Sequence, residues 1–264
     1  MQKIGFIGAG NIATAIISGA VKSGILNAGD ITVFDIDQNK LTPFIKLGCF
    51  AAKNIADLMT KTDTLFLTVK PQVLEPVLTE VKDYIKDETL IISPVAGAKI
   101  GKISALIGGK QKIIRVMPNT PLMYGAGATA ITAGESVTEA HLDFAEKIFA
   151  SLGVTAKVDE ALMDTVTAIS GSSPAFFMRF ASEIINEGVR QGLDTKTAKD
   201  LVLATMAGSA KMAMQSEKSL DELIRAVASP GGTTEAGLNK MSELDFDKDT
   251  AKIIKAAADR SKEL

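Results

Sequence analysis

Short, almost wholly apolar runs alternate with amphipathic stretches through the first half of the chain, and that alternation admits few architectures. Residues 3–8, 31–35, 64–69, 89–93 and 112–117 are rich in β-branched residues and bounded by turn formers, the pattern of strands buried on both faces. Residues 11–23 and 72–85, lying between such runs, repeat apolar positions with a helical period. Strand and helix in turn imply right-handed crossovers and a parallel sheet covered on both faces. A strand pair at 128–132 and 154–158, with a helix over 138–152, completes this α/β domain.

Beyond residue 158 the strand signal disappears. Residues 174–191 place Phe177, Phe180, Ala181, Ile184 and Ile185 on one helical face, with Ser173 and Pro174 as cap and first turn. Residues 195–214 and 249–262 repeat the period, so two domains are expected: an α/β dinucleotide-binding domain over 1–158 and an all-α domain over 159–264. The 46% hydrophobic content of the 264 residues is ample for a core. A formal net charge of -2 argues against nucleic acid or an anionic membrane as partner. A single cysteine, the lack of a signal peptide and the lack of a long apolar run point to a cytoplasmic protein.

The first chemistry-bearing motif is Gly8-Ala9-Gly10-Asn11-Ile12-Ala13, which ends the first strand and opens a helix. This is the context in which a glycine turn binds a dinucleotide: Gly8 permits the turn, Gly10 lets backbone approach a diphosphate, and Ala13 lets helix and strand pack closely. Asp35 ends the second strand, where a carboxylate binds a ribose 2′-hydroxyl and repels a 2′-phosphate, favouring NAD(H) over NADP(H). Lys40 is the nearby cation able to reach such a phosphate. Val69-Lys70-Pro71 and Val95-Ala96-Gly97 end further strands and suit a backbone wall against ribose and nicotinamide.

General acids are sparse. His141, the only histidine, falls in a polar helical stretch and reads as surface, Cys49 reads as a small buried residue, and no metal site is expected. The second domain offers instead Ser229-Pro230-Gly231-Gly232-Thr233-Thr234, where a glycine pair opens a helix and N–H groups and hydroxyls converge to bind a carboxylate. Ser170-Gly171-Ser172-Ser173-Pro174 is a similar small-residue turn.

Taken together, Gly8-Ala9-Gly10-Asn11, Val69-Lys70-Pro71-Gln72, Met117-Pro118-Asn119-Thr120-Pro121, the 170–175 turn and above all residues 229–237 closely resemble the pyrroline-5-carboxylate reductase family, over nearly the whole chain. The resemblance implies a Rossmann-like domain followed by an all-α dimerisation domain, and reduction of a cyclic imine to proline by NADPH or NADH. It implies homodimers, which in many members assemble into decamers of five dimers, with the active site between one subunit's cofactor and the helical domain. By the same likeness Ala9, Gly10, Asn11, Ile12, Asn54, Val69, Lys70, Pro71, Ala96 and Gly97 would line the cofactor, joining Gly8 and Asp35. Glu160, Ser229, Gly231, Gly232, Thr233 and Thr234 would surround the substrate, with Thr234 the catalytic residue bonding its ring nitrogen. Asp35 departs from the neutral or Arg-containing pocket more frequent in the family. A β-hydroxyacid dehydrogenase would carry a lysine on the first long helix of the second domain, where this chain has Phe176, Phe177, Met178 and Arg179.

Overall fold

A computed structural model describes residues 3–109 and 111–264; residues 1, 2 and 110 of the expected first domain lie outside it. It divides into two compact units, one formed by the residues up to Ser172 together with Ala257–Leu264, the other by Ser173–Ala256. The loss of strand signal at residue 158 marks the end of the last strand, whereas the compact units part fourteen residues later, after Ser172.

The first unit is built on eight strands: β1 Ile4–Ile7, β2 Ile31–Phe34, β3 Phe50–Ala51, β4 Thr64–Leu67, β5 Leu90–Ser93, β6 Lys112–Met117, β7 Gly127–Ala133 and β8 Gly153–Lys157. They form one sheet in the order β3-β2-β1-β4-β5-β6-β7-β8. Every neighbouring pair is parallel, as the alternation leads one to expect, except β6 and β7, which are antiparallel. Parallel neighbours need a crossover of a dozen or more residues. Between β6 and β7 the chain makes only a short turn around Thr120–Tyr124, so β7 runs back alongside β6.

Helices α1 Asn11–Lys22, α2 Thr42–Leu47, α3 Ile55–Thr60, α4 Leu74–Val81, α5 Ile100–Ile107 and α6 Glu139–Ala150 cover the sheet. One face packs Phe6, Phe66, Ile114 and Val116 against Ile16 and Ile17 of α1 and Ile148 and Phe149 of α6. Phe6 and Phe66 stack with ring centroids 4.4 Å apart. The other face packs Leu65, Leu67, Ile91 and Ile113 under α3, α4 and α5. Each fully buried aliphatic or aromatic side chain contributes about 1.5–3 kcal/mol, so this double-sided core fixes the strand ends on which a ligand would rest.

After β8, α7 Met163–Val166 passes into a π-helical turn, Thr167–Ser172, and directly into α8 Ser173–Arg190. Ser173 therefore does not cap a new helix, as its pairing with Pro174 suggested. The cause is the proline, which has no N–H for the carbonyl four residues back. That carbonyl, on Ser170, accepts instead from Asn119 Nδ2 at 3.4 Å. Asn119 Oδ1 in turn accepts the N–H of Ala128 at 2.9 Å, tying the 117–121 motif to the start of β7.

The second unit holds α8, α9 Thr195–Gln215, α10 Leu220–Val227, α11 Thr233–Glu243 and most of α12 Phe246–Lys262. Only Ser173, Ala181 and Ala198 of α8–α11 are buried, whereas Phe177, Phe180, Ile184, Leu201, Met212 and Ile224 are exposed. No described helix is long and apolar enough to cross a membrane.

Candidate functional site

The glycine turn stands where the strand order reverses, β1 being followed by β2 and β3 on one side and by β4 onward on the other. Such a switch point leaves a crevice outside the carboxyl ends of the strands. Gly8 takes φ +101°, and a Cβ there would lie 2.5 Å from the carbonyl oxygen of Thr68, so only glycine fits. Thr68 Oγ1 locks the approach by donating to the carbonyls of Ile7 and Gly8 at 3.0 and 2.7 Å. Gly10 is different: its φ is an ordinary -83°, and a Cβ would meet no protein atom within 4 Å. The space beside it is thus left open by the fold itself. Gly10 also precedes α1, whose N-terminus has no side-chain cap and no acidic residue in its first turn. Ala13 is fully buried, as close helix–strand packing requires. Uncapped N–H groups at a helix start beside open space fit a diphosphate.

Asp35 lies at the other side of the turn. Its Oδ2 accepts the N–H of Ala9 at 2.8 Å and its Oδ1 accepts the N–H of Asp37 at 2.9 Å. Lys40 Nζ is 3.7 Å from Oδ1. The carboxylate therefore braces the glycine turn as well as facing a cleft of about 340 Å³ lined by Gly8, Gly10, Asp35, Lys40, Val69 and Lys70, among others. Pro71 follows, opening the short turn Pro71–Val73. Among the lining residues that escaped the sequence reading are Thr68, and Ile36, an apolar side chain 92% exposed at the cleft. Their adjacency to Val69 and Asp35 at strand ends was the available signal.

Asn54 lies outside the residues lining the cleft; its Oδ1 caps α3 by accepting the N–H of Asp57 at 2.8 Å. Ala96 and Gly97 form the turn after β5. Gly97 takes φ +73°, with a would-be Cβ 2.6 Å from Leu264 Cβ. Glu160 Oε1 accepts the N–H of Ile100 at 2.7 Å and lies 3.4 Å from Arg115 Nη1.

In the second unit, Ser229, Gly231, Gly232, Thr233 and Thr234 form the turn into α11. Gly231 takes φ +71°, and Gly232 is the extended residue at the helix start. The N–H groups do not all stay available for a ligand. Glu235 reaches back to accept that of Gly231 at 2.8 Å, and the carbonyl of Ser229 accepts that of Gly232 at 3.0 Å. What remains at the helix start are the N–H groups of Thr233, Thr234 and Glu235. The half-buried Thr234 also lines an apolar groove with Met212, Leu220, Leu223 and Ile224.

The sparse acids have structural roles. His141 Nδ1 accepts the N–H of Thr138 at 3.2 Å and caps α6, and burial, with Lys112 nearby, pulls its pKa down. Burial pushes the Cys49 thiol up to about 11, which keeps it an unreactive thiol near neutrality. Among the described residues no three His, Cys, Asp or Glu side chains gather to hold a metal ion.

Comparison with known proteins matches both parts of the chain to families. Residues 160–264 match the family profile for pyrroline-5-carboxylate reductase dimerisation, and residues 3–97 match that described as NADP oxidoreductase coenzyme F420-dependent. The pyrroline-5-carboxylate reductase of Methanosarcina acetivorans is 35% identical, the alignment covering 100% of this chain and 98% of the relative. Pyrroline-5-carboxylate reductase 2 of Bacillus subtilis is 35% identical over 100% and 95%. The crystal structure of the Plasmodium falciparum pyrroline carboxylate reductase with NADP bound superposes with a TM-score of 0.91 at 30% identity, covering 99% of this chain and 97% of that one. A family profile over the helical half, relatives at 35% identity along the full length and a shared fold leave one assignment: the chain belongs to the pyrroline-5-carboxylate reductase family.

Proposed function

We propose that the protein reduces 1-pyrroline-5-carboxylate to proline with NADPH or NADH, the last step of proline biosynthesis. The observation that carries this reading is the open space at Gly10, beside the uncapped start of α1, in a chain whose full-length relatives bear that name. The bound nicotinamide supplies a hydride. The first-turn N–H groups of Asn11 and Ile12 receive the diphosphate, and Asp35 keeps lone pairs for ribose hydroxyls after serving Ala9 and Asp37. Ile36 offers an apolar face to a base, Val69, Lys70, Pro71, Ala96 and Gly97 complete the cofactor site, and Asn54, outside the cleft lining, has only its amide NH2 to offer, its Oδ1 being the cap of α3.

The substrate's carboxylate is received at the start of α11, by the N–H groups of Thr233 and Thr234, within the turn from Ser229 through Gly231 and Gly232. The Thr234 hydroxyl orients the ring nitrogen. With the hydride supplied by the nicotinamide, the imine carbon would gain that hydride while the nitrogen keeps a proton taken from solvent, so the C=N bond would become a C–N single bond. A cyclic imine is basic enough to be protonated without a strong acid, which suits a chain whose histidine caps a helix and whose thiol is held protonated. Catalysis here is positioning.

The exposed apolar faces of α8–α10 support a homodimer formed through residues 159–264, and five such dimers make the decamer of this reading. A cytoplasmic location goes with the single, buried, free cysteine. The test is cofactor oxidation with 1-pyrroline-5-carboxylate and with its six-membered analogue. Oxidation with the five-membered ring, and a loss of about tenfold to a thousandfold in kcat/KM for Thr234→Ala, are expected. Oxidation with neither ring overturns the function, and unchanged kinetics remove Thr234 from it.

A further inference from the structure

We infer that Glu160 is a positioning residue for the nicotinamide half of the cofactor, acting through the N–H of Ile100 and held in place by the buried guanidinium of Arg115. The inference rests on the cofactor reading above and gives Glu160 a role different from the substrate contact that family likeness implies.

Arg115 is the starting point. It sits in the middle of β6, 1% exposed, with Ser93 and Thr132 as its neighbours across the strands on either side. Its Nη1 lies 3.4 Å from Glu160 Oε1, while Nε and Nη2 have no hydrogen-bond partner. A guanidinium at this depth with two of its nitrogens unpartnered is costly, and an apolar side chain would fill the place at less expense. What the arginine does there is hold Glu160, its one ion-pair partner among the described residues.

Glu160 in turn holds α5. Ile100 is the first residue of that helix, Lys99 before it provides no side-chain cap, and the first turn of α5 contains no acid of its own. The carboxylate that satisfies the first N–H therefore comes from sixty residues away, at 2.7 Å. Upstream lies the turn carrying Ala96 and Gly97, tied at its other end by the N–H of Val95 to Ser93 Oγ at 3.4 Å. Leu264 presses on Gly97. The helix end bearing Leu264 is pinned by Ser261 Oγ, which donates to Asp164 Oδ1 at 2.7 Å with both residues buried. Glu160 and Asp164, four residues apart, thus fix the turn from two directions.

The turn ends β5, two strands from β1 and on the side away from Asp35. At about 4.8 Å per strand, that is about 10 Å from the glycine turn, on the nicotinamide side of a dinucleotide laid across the switch point. Loosening the turn should therefore weaken the nicotinamide half and spare the adenosine half, which a general loss of stability would not do.

Calorimetric titration of NADH and NADPH, against ADP-ribose and its 2′-phosphate, separates these cases in Glu160→Ala, Glu160→Gln and Ile100→Pro. Proline is compatible with the first helical position and with the extended Lys99 (ψ 149°), so Ile100→Pro removes the donor while leaving Glu160 in place. Glu160→Ala and Ile100→Pro are expected to weaken the intact dinucleotides roughly tenfold, the size of one charge-assisted hydrogen bond. Binding of the ADP-ribose compounds should stay within about twofold. Glu160→Gln, which keeps the acceptor, should recover most of the loss. Equal weakening of all ligands, or no weakening in either disruptive variant, overturns the inference while leaving the cofactor reading intact. Failure of the parent protein to bind any of the four overturns the cofactor reading and the inference with it.

Discussion

Gly10→Ala separates the fold of the glycine turn from its function. The backbone at Gly10 has φ -83° and ψ -171°, which alanine adopts freely, and the new Cβ meets no protein atom within 4 Å. Alanine is a poorer N-cap than glycine by about 0.5–1 kcal/mol. Against this, the unfolded chain loses freedom worth about 0.4–1 kcal/mol. The net change in stability is therefore within about 0.5 kcal/mol, a Tm shift of no more than about 2 °C. A diphosphate, by contrast, is pushed off the helix start by about one C–C bond length and loses two charge-assisted hydrogen bonds. At about 1.5–3 kcal/mol each, that weakens NADH and NADPH by roughly a hundredfold to ten-thousandfold. Thermal denaturation and cofactor titration on the same preparation read both numbers. Gly8→Ala is the contrast: φ +101° and the Thr68 carbonyl 2.5 Å away should cost stability first. A Gly10→Ala protein that binds either dinucleotide within about threefold of the parent refutes the diphosphate assignment.

Three other outcomes follow from the structure. Asn119→Ala leaves the Ala128 N–H and the Ser170 carbonyl unpaired, so calorimetry should show a loss of about 1–3 kcal/mol or more, and a change below about 0.5 kcal/mol contradicts the bridging role. Ile224→Asp places a charge among the exposed Leu220, Ile224 and Val227 of α10, and should give monomers in sedimentation, an unchanged mass speaking against this face as the dimer contact. The pKa of His141 is lowered from its ordinary 6.5, so below that value the unfolded chain binds more protons than the folded one. Its contribution is complete above about pH 6.5 and is lost as pH falls towards the lowered value. Tm measured from pH 7.5 down to 5.5 should drop further in the parent than in His141→Gln, whose amide keeps the cap, and parallel curves refute the linkage.

Much of this was legible in the residues themselves, and the exceptions have physical causes. The strands buried on both faces announced themselves as apolar runs, and Gly8, Gly10 and Ala13 fell in the only context that gives them meaning. β3 did not, because Phe50 and Ala51 are an exposed two-residue edge with no period to read. The direction of β7 was hidden too, since alternation of side chains is the same for parallel and antiparallel strands. The helix start expected at Ser173 was displaced by a helix already running from Met163, a feature that depends on Asn119 finding the carbonyl freed by Pro174. Long-range partners of this kind, including Ala9 for Asp35 and Ile100 for Glu160, leave no local trace in sequence.

The most direct test of the central claim is to supply cofactor carrying deuterium at both C4 positions of the dihydronicotinamide, with 1-pyrroline-5-carboxylate, and to locate the label by mass spectrometry and NMR. Proline carrying one deuterium, at the ring carbon that had been the imine carbon, is the predicted product. Proline formed without label, or label released to water, contradicts direct hydride transfer from the cofactor to the imine carbon.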